Sequence, residues 1–485
     1  MTSYFISGVI FFNIAVGVYY GLLNSVYTLL LSIALFTVIR QGSRAKYTED
    51  RLWLYSNETP PVSILIPAYN EEDVILRTVA SVLTQEYPLF EVIVINDSSE
   101  DKTLQLLIET YSLQKVDQLY RDILKTESIK GFYYNKEHPN LLVVDKEKGG
   151  KADALNAGIN ISHYPYFCSV DADSILDTYA LLKIMVQVVE SKVPVIACGG
   201  DVRVLNGMNH PEVQGYAAEL PESSLAMFQI VEYLRSFLFG RIGWNALGGS
   251  VILSGAFSLF LKDAVVRAGG YDRKQVSEDL EIVLKLHRLY AQEKRPYKID
   301  YALDAICWTE VPEKISQLGR QRRRWQVGFL QACWKHRGMI FNPRYKTVGL
   351  FSLPYFLFLE STGSVIELLG FVVMPLAYYF GLLSVHYFIL FLLLALVYGT
   401  FLSVATILLE EMTIKRYPSW KHLARLLLYG SIEHFGYRQI NAWWRLQGIF
   451  QFLFMPYSWE YVHKSGETHS EHESHKTLGS EDAKQ

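Results

Sequence analysis

The sequence is poor in cysteine, and it has no surplus of positive charge. Four cysteines in 485 residues, Cys168, Cys198, Cys307 and Cys333, stand far apart. No CxxC pair or Cys/His ligand spacing joins them, so neither a disulfide framework nor a zinc site is expected, and they read as reduced, buried thiols. Lys plus Arg is 46 against 49 Asp plus Glu, a net charge of −3. Nucleic acid is therefore not an expected partner, because a phosphate backbone is held chiefly by excess positive charge. Charge is also missing locally: no Asp, Glu, Lys or Arg occurs from Tyr4 to Val38. About 20 apolar residues at 1.5 Å rise span a ~30 Å hydrocarbon core, so this stretch predicts a transmembrane helix within residues 1–45. A cleaved signal peptide is disfavoured, since Met1–Ser7 carries no basic residue.

Arg40, Arg44, Lys46 and Arg51 follow directly, and the positive-inside bias places what comes next in the cytosol of an integral protein of a bacterial-type inner or plasma membrane. From Glu49 to Arg344 short Val/Ile/Leu runs alternate with amphipathic stretches, which predicts an α/β domain over residues 55–345. Apolar runs return at Tyr355–Tyr387 and Phe388–Leu409, with a short outer turn at Gly381–Tyr387. Lys415, Arg416, Lys421 and Arg425 then form a basic loop. Leu426–Pro456 is broken by Glu433, His434, Arg438 and Arg445 and reads either as a polar-lined crossing or as an interfacial helix, closing a membrane region over residues 346–456. Residues 457–485 are rich in His, Ser, Glu and Lys, the composition of a disordered tail.

Within the α/β block, charged residues collect where strands stop. Val62–Ala68 runs into Tyr69, Asn70, Glu71 and Glu72, and Glu91–Ile95 runs into Asn96 and Asp97. Parallel strands deliver ligand-binding residues at their carboxyl ends, so Glu71 and Asp97 should face one crevice, although helix capping accounts for either acid alone. Leu141–Val144 leads into Asp145-Lys-Glu-Lys-Gly-Gly-Lys151, where two glycines permit close backbone approach and Lys148 and Lys151 supply positive charge at a helix start. A surface lysine cluster is the alternative. Tyr166–Val170 ends in Asp171-Ala-Asp173, two carboxylates able to share a hard divalent cation with diphosphate oxygens. Glu278 and Asp279 open an amphipathic helix, a position that suits a cap and also a general base. Gln321-Arg-Arg-Arg-Trp325 precedes the second apolar region. It suits either a basic membrane-surface patch or diphosphate recognition with an indole platform.

Taken in order, PAYNEE, VINDSS, KGGKADALN, SVDADS, SGAFSLF, SEDLE and QRRRW over Val62–Trp325 resemble the membrane-integrated family-2 glycosyltransferases, the group containing cellulose, chitin, hyaluronan and poly-N-acetylglucosamine synthases. The resemblance implies a GT-A domain between N- and C-terminal membrane helices and an inverting transfer from a UDP-sugar donor to a glycan or lipid-linked acceptor, with membrane lipid around it. It also implies that Tyr69, Glu71 and Asp97 hold the uridine, Lys151 approaches the diphosphate, and Asp171 and Asp173 bind nucleotide and Mg2+ or Mn2+. Asp279 would be the base, and Glu278, Gln321, Arg324 and Trp325 would contact donor and acceptor. SGAFSLF lacks the cysteine of the cellulose-type acceptor motif, which leaves cellulose-like acceptor geometry open. Of a processive synthase, a single-addition transferase on a lipid-linked acceptor and a non-catalytic membrane scaffold, QRRRW favours the first, and the intact Asp171, Asp173, Asp279 and Arg324 argue against the last. Glu360 and Glu367, seven residues apart in an apolar run, are expected to line a polymer channel or to lie at the membrane surface.

Overall fold

In the computed structural model, residues 2–45, 59–207, 219–413 and 419–455 are described. The predicted tail and the basic residues Lys46, Arg51, Lys415 and Arg416 lie outside them. At the centre is one ten-stranded mixed sheet of order β3-β4-β5-β2-β1-β6-β9-β8-β10-β7. Its strands are β1 (Val62–Ala68), β2 (Phe90–Asn96), β3 (Gln114–Val116), β4 (Ile129–Tyr134), β5 (Leu141–Lys146), β6 (Tyr166–Val170), β7 (Ser174–Leu176), β8 (Val195–Val204), β9 (Phe257–Leu261) and β10 (Lys298–Thr309).

The four strands expected from the sequence, β1, β2, β5 and β6, are adjacent and mutually parallel. Their Val/Ile/Leu runs are buried on both faces, as in sheets covered by helices on each side. Chain order runs outward from β1 through β2 to β5 and then returns to place β6 on the other side of β1. Such a reversal opens a crevice at the carboxyl ends of β1 and β6. β9 pairs antiparallel with β6, setting Phe257 opposite Val170, so the turn before β9 lies against the residues that follow β6.

Three helices among the described residues are long and apolar enough to cross a membrane: Ile6–Arg40, Val348–Tyr379 and Val385–Glu411. The second and third begin earlier than the sequence suggests, and the turn between them falls at residues 380–384. Gly381 at φ 69° ends one helix, and the Ser384 hydroxyl caps the next by accepting from the Tyr387 N–H. The ambiguous Leu426–Pro456 stretch divides into helices Trp420–Ile432 and Tyr437–Phe454, broken at Gly436, whose φ of 112° a side chain would resist. Tyr437–Phe454 packs along the QRRRW helix: Cβ atoms added at Gly319 and Gly448 would meet Trp444 and Gln326 at 2.7 and 2.8 Å.

Glu360 and Glu367 both have partners on other helices. Glu360 accepts hydrogen bonds from Tyr27 and Tyr355 at 2.5 and 2.6 Å and lies 3.5 Å from Arg445. Glu367 is paired with Arg438 at 2.8 Å. In a low-dielectric interior each carboxylate needs a partner, and the helix Tyr437–Phe454 supplies the arginines.

Candidate active site

The loop after β5 shows why its sequence needs two glycines. Asp97, at the end of β2, accepts the Gly149 and Gly150 N–H groups at 2.9 and 2.6 Å and the Lys146 ammonium at 2.7 Å. Gly150 has φ 86°, and a Cβ on Gly149 would stand 2.4 Å from Asp153. The turn delivers Lys151 as the first residue of the helix Lys151–Ile161. Asp97 is 4% exposed with both carboxylate oxygens engaged, so it faces the loop beneath the crevice. Tyr69 lies above, its hydroxyl 2.6 Å from Lys148 and its ring under that ammonium at 4.1 Å.

Glu71, Asp171 and Asp173 do gather at the crevice. Burial and the neighbouring charges of Asp173 and Asp171 push the Glu71 carboxyl up to about 7. Burial and Asp171 push Asp173 up to about 6. Burial is the larger cause of each shift, and the neighbouring negative charge that adds to it is what a cation would relieve. The cation present is Lys151, with Nζ 2.5 Å from Asp171 Oδ1 and 3.4 Å from Glu278 Oε1. Burial alone would lower its pKa, but Asp171, Glu278 and Asp279 overcome that and raise it. Among the described residues no three His, Cys, Asp or Glu side chains stand close enough to enclose a metal ion. The Asp171/Asp173 pair thus fits a cation whose other ligands come from a bound diphosphate or water.

Asp279 closes the site. The Asp279 Oδ1 atom accepts the Leu280 N–H at 2.8 Å, so it does serve its helix, while Oδ2 points to Gly255. A Cβ built on Gly255 would meet Asp279 Oδ2 at 3.3 Å and Lys151 Nζ at 3.2 Å. The missing side chain therefore leaves a small space that both the carboxylate and the ammonium border. The Asp171 N–H reaches the Ala256 carbonyl at 3.4 Å, fixing this turn to the acidic pair. Glu278, 7% exposed, is buried beside Lys151, where burial raises its pKa against the lowering effect of Lys151.

The QRRRW segment lies on the helix Ile315–Lys335. Gly328 on this helix abuts Ser277, where a Cβ would come within 2.0 Å of the hydroxyl oxygen, directly before Glu278 and Asp279. Gln321, Arg324 and Trp325 sit seven, four and three residues earlier, on the same helical face. Arg324 and Trp325 are exposed. The Gln321 Oε1 atom is buried without a hydrogen-bond partner among the described residues. Arg322 behaves differently from its neighbours: it is buried, paired with Glu232 at 2.7 Å and stacked 4.4 Å from the Trp325 ring centre. Gly255 and Arg322 are the residues that motif reading left without a role. For Gly255 the signal was its place in SGAFSLF; for Arg322 the deciding partner, Glu232, is distant in sequence.

Poly-beta-1,6-N-acetyl-D-glucosamine synthase of Staphylococcus aureus (strain MSSA476) is 33% identical over 275 residues, covering 56% of this chain and 55% of that protein. The Staphylococcus epidermidis synthase of the same name is 29% identical over 313 residues, covering 64% of each chain. The chain thus spans between about half and two thirds of the length of these relatives. Among solved structures, the mannosyltransferase PcManGT from Pyrobaculum calidifontis in complex with GDP-Man and Mn2+ aligns at 17% identity and TM-score 0.48, covering 84% of this chain and 99% of that one. The model for glycosyl transferase family 2 matches residues 63–264, and its α/β GT-A fold accords with the mixed sheet described above. The model for glycosyl transferase family group 2 matches residues 166–408, half of the sequence, and the chain belongs to that family.

Proposed function

We propose that this protein is an inverting, processive glycosyltransferase that moves N-acetylglucosamine from UDP-N-acetylglucosamine to the end of a growing polysaccharide. Its catalytic domain, residues 55–345, would stand on the cytosolic side, between the helix of residues 1–45 and the helices of residues 346–456. The observation that carries the reading is the Gly255 contact, which sets Asp279 Oδ2 and Lys151 Nζ around one space while Lys151 holds Asp171. The names of the synthase relatives support the sugar.

Asp279 Oδ2 would take the proton of the acceptor hydroxyl as its oxygen attacks the anomeric carbon from the face opposite UDP. Lys151 would place a positive charge beside the diphosphate, and Arg324 would add a planar donor fork from the QRRRW helix. Tyr69 and Glu71 would border the uridine, with Asp97 shaping the loop under it. Trp325 would offer a flat apolar surface to the acceptor sugar, and Gln321 an amide to its hydroxyls. A divalent cation, Mg2+ or Mn2+, held by Asp171 and Asp173, would neutralise charge on the departing diphosphate. One base suffices for such a transfer, whereas glycoside hydrolysis uses a carboxyl pair.

The test is incubation of the purified full chain with a panel of radiolabelled UDP-sugars and Mg2+ or Mn2+. A ladder of polymer from UDP-N-acetylglucosamine is expected. A single glycolipid product would replace processive synthesis with one addition, and UDP release from none of the donors would overturn the enzymatic reading.

A further inference from the structure

Between the catalytic turn and the membrane helices lies a second cavity, of about 80 Å³, several times the ~10–15 Å³ that one water requires. Arg241 lines it from the last residue of a π-helical segment, Leu234–Arg241. The other walls are largely apolar: Trp244, Val251, Leu253 and Phe356. Phe356 belongs to the apolar helix Val348–Tyr379. Leu253 also borders the space lined by Lys151, Gly255, Glu278 and Asp279. The two spaces therefore share the Leu253 wall, and the cavity lies between the turn that carries Gly255 and the apolar helix Val348–Tyr379.

The Arg241 guanidinium lies 3.7 Å over the Phe237 ring, yet its Nη1 is buried with no hydrogen-bond partner among the described residues. A buried N–H left unmade is costly, and such groups normally find a protein, water or ligand acceptor. The surroundings select which acceptor. Asp201 and Asp279 both act electrostatically on Arg241. Asp201 is fixed in place by the Tyr301 hydroxyl at 2.7 Å and by Arg203. An anionic ligand would be repelled by these two carboxylates. A neutral amide fits both halves of the cavity, its carbonyl oxygen accepting from Nη1 and its methyl group lying on the Trp244, Leu253 and Phe356 wall.

We infer that this cavity is the subsite for the N-acyl group of an acceptor sugar, with Arg241 donating to the acyl carbonyl oxygen. The inference rests on the proposed reading of the site and adds a basis for acceptor selection. Arg241 would then be a specificity-determining residue, acting on binding of the acceptor and not on proton transfer.

The test compares wild type, Arg241→Gln and Arg241→Lys, all as full chains in detergent, with N-acetylated glucosamine oligosaccharides and their de-N-acetylated counterparts as added acceptors. Arg77→Gln, which breaks a surface ion pair with Glu310, serves as the control with unchanged activity. Arg241→Gln should raise KM for the N-acetylated acceptor about tenfold, the size expected for losing a charge-assisted hydrogen bond, with a shift below twofold for the de-N-acetylated one. Arg241→Lys should fall between. Equal shifts for both acceptors, or none for either, overturn the inference. Binding of the same oligosaccharides, followed by tryptophan fluorescence without any donor, separates the two levels of argument. Arg241-dependent binding in a protein that does not turn over UDP-N-acetylglucosamine supports the subsite and rejects the proposed donor, whereas binding indifferent to Arg241 rejects the subsite.

Discussion

Lys151 Nζ lies 2.5 Å from Asp171 Oδ1, so the first acid of the D-x-D pair is neutralised by a lysine from the neighbouring loop. That lysine also reaches Glu278, and its loop is held by Asp97. On the proposed reading this charge balance would change when a cation and a diphosphate enter, because the cation would compete for Asp171 and the diphosphate for Lys151.

Replacing Lys151 with Gln should therefore leave Asp171, Asp173 and Glu71 short of positive charge. The variant is expected to gain more thermal stability from added Mg2+ or Mn2+ than wild type does, while turnover of UDP-N-acetylglucosamine falls at least about tenfold. Thermal midpoints measured with and without the metal check this. Equal gains in the two proteins would show that Lys151 does not serve as the counter-ion.

Asp279→Asn keeps the size of the side chain and a carbonyl oxygen for the Leu280 N–H, but removes the base. A loss of about 10²–10⁴ in kcat is expected, with UDP affinity within about twofold of wild type. Steady-state rates beside UDP binding by calorimetry decide it. Retained turnover would leave Asp279 with only its helix-terminal role.

Gly255→Ala tests the contact itself. The added methyl would sit 3.2 and 3.3 Å from Lys151 Nζ and Asp279 Oδ2, so both groups must yield by a few tenths of an ångström. Folding should survive, since one of the two is the tip of a flexible lysine. Turnover should drop about 10–100-fold, in line with the sensitivity of transfer to small misplacements. Rates alongside unfolding midpoints of the same preparation distinguish misplacement from misfolding.

What the sequence made legible follows from the range of the interactions. Tyr166–Val170 reads as a strand, and Asp171 and Asp173 as its terminal acids, because an apolar run ending in charge is a local signal. The parallel quartet β5-β2-β1-β6 is legible for the same reason. The helices Val348–Tyr379 and Val385–Glu411 were visible as apolar runs, but their limits depend on Gly381 and Ser384 acting as helix stops. Less legible was the state of individual acids. Asp97 and Glu71 look alike as strand-end carboxylates, yet Asp97 is saturated by a loop fifty residues on, while Glu71 stands in the field of Asp173 and Asp171. The partners of Glu360 and Glu367 were hidden as well, because the arginines lie on a helix more than 70 residues later.

His287 gives a pH dependence of stability. Its Nε2 lies 2.7 Å from the Ser250 carbonyl and its Nδ1 2.8 Å from the Tyr297 hydroxyl, an arrangement that suits a neutral ring donating from Nε2 and accepting at Nδ1. Burial pushes its pKa down to about 4, below the ordinary value of ~6.5. As pH falls from about 6.5 to 4, the unfolded chain takes up this proton and the folded chain does not, so stability decreases, by up to about 3 kcal/mol. It is fully present above about pH 6.5. His287→Gln should be less stable at pH 7 but lose less on acidification. The difference in unfolding midpoint between the two proteins from pH 7 to pH 4.5 measures the effect, since the other titrating groups cancel in that difference.

The pair Glu367–Arg438 offers the sharpest test of what the polar groups among the membrane helices do. The two are 2.8 Å apart, with Glu367 buried, and they tie the apolar helix Val348–Tyr379 to Tyr437–Phe454. Removing one partner leaves an uncompensated charge, which costs about 3–5 kcal/mol in buried pairs, whereas removing both is often far milder. Glu367→Gln alone and Arg438→Gln alone should each lower the unfolding midpoint in detergent and reduce yield, and the double variant should recover most of the loss. If the pair holds the helices together and nothing more, the recovered double variant should also carry out the proposed polymer synthesis and export at the wild-type level. A double variant that is stable and releases UDP but exports nothing would instead assign these charges to the path of the polymer, because a purely structural pair can be replaced by any pair of neutral, well-packed side chains without changing what passes beside it.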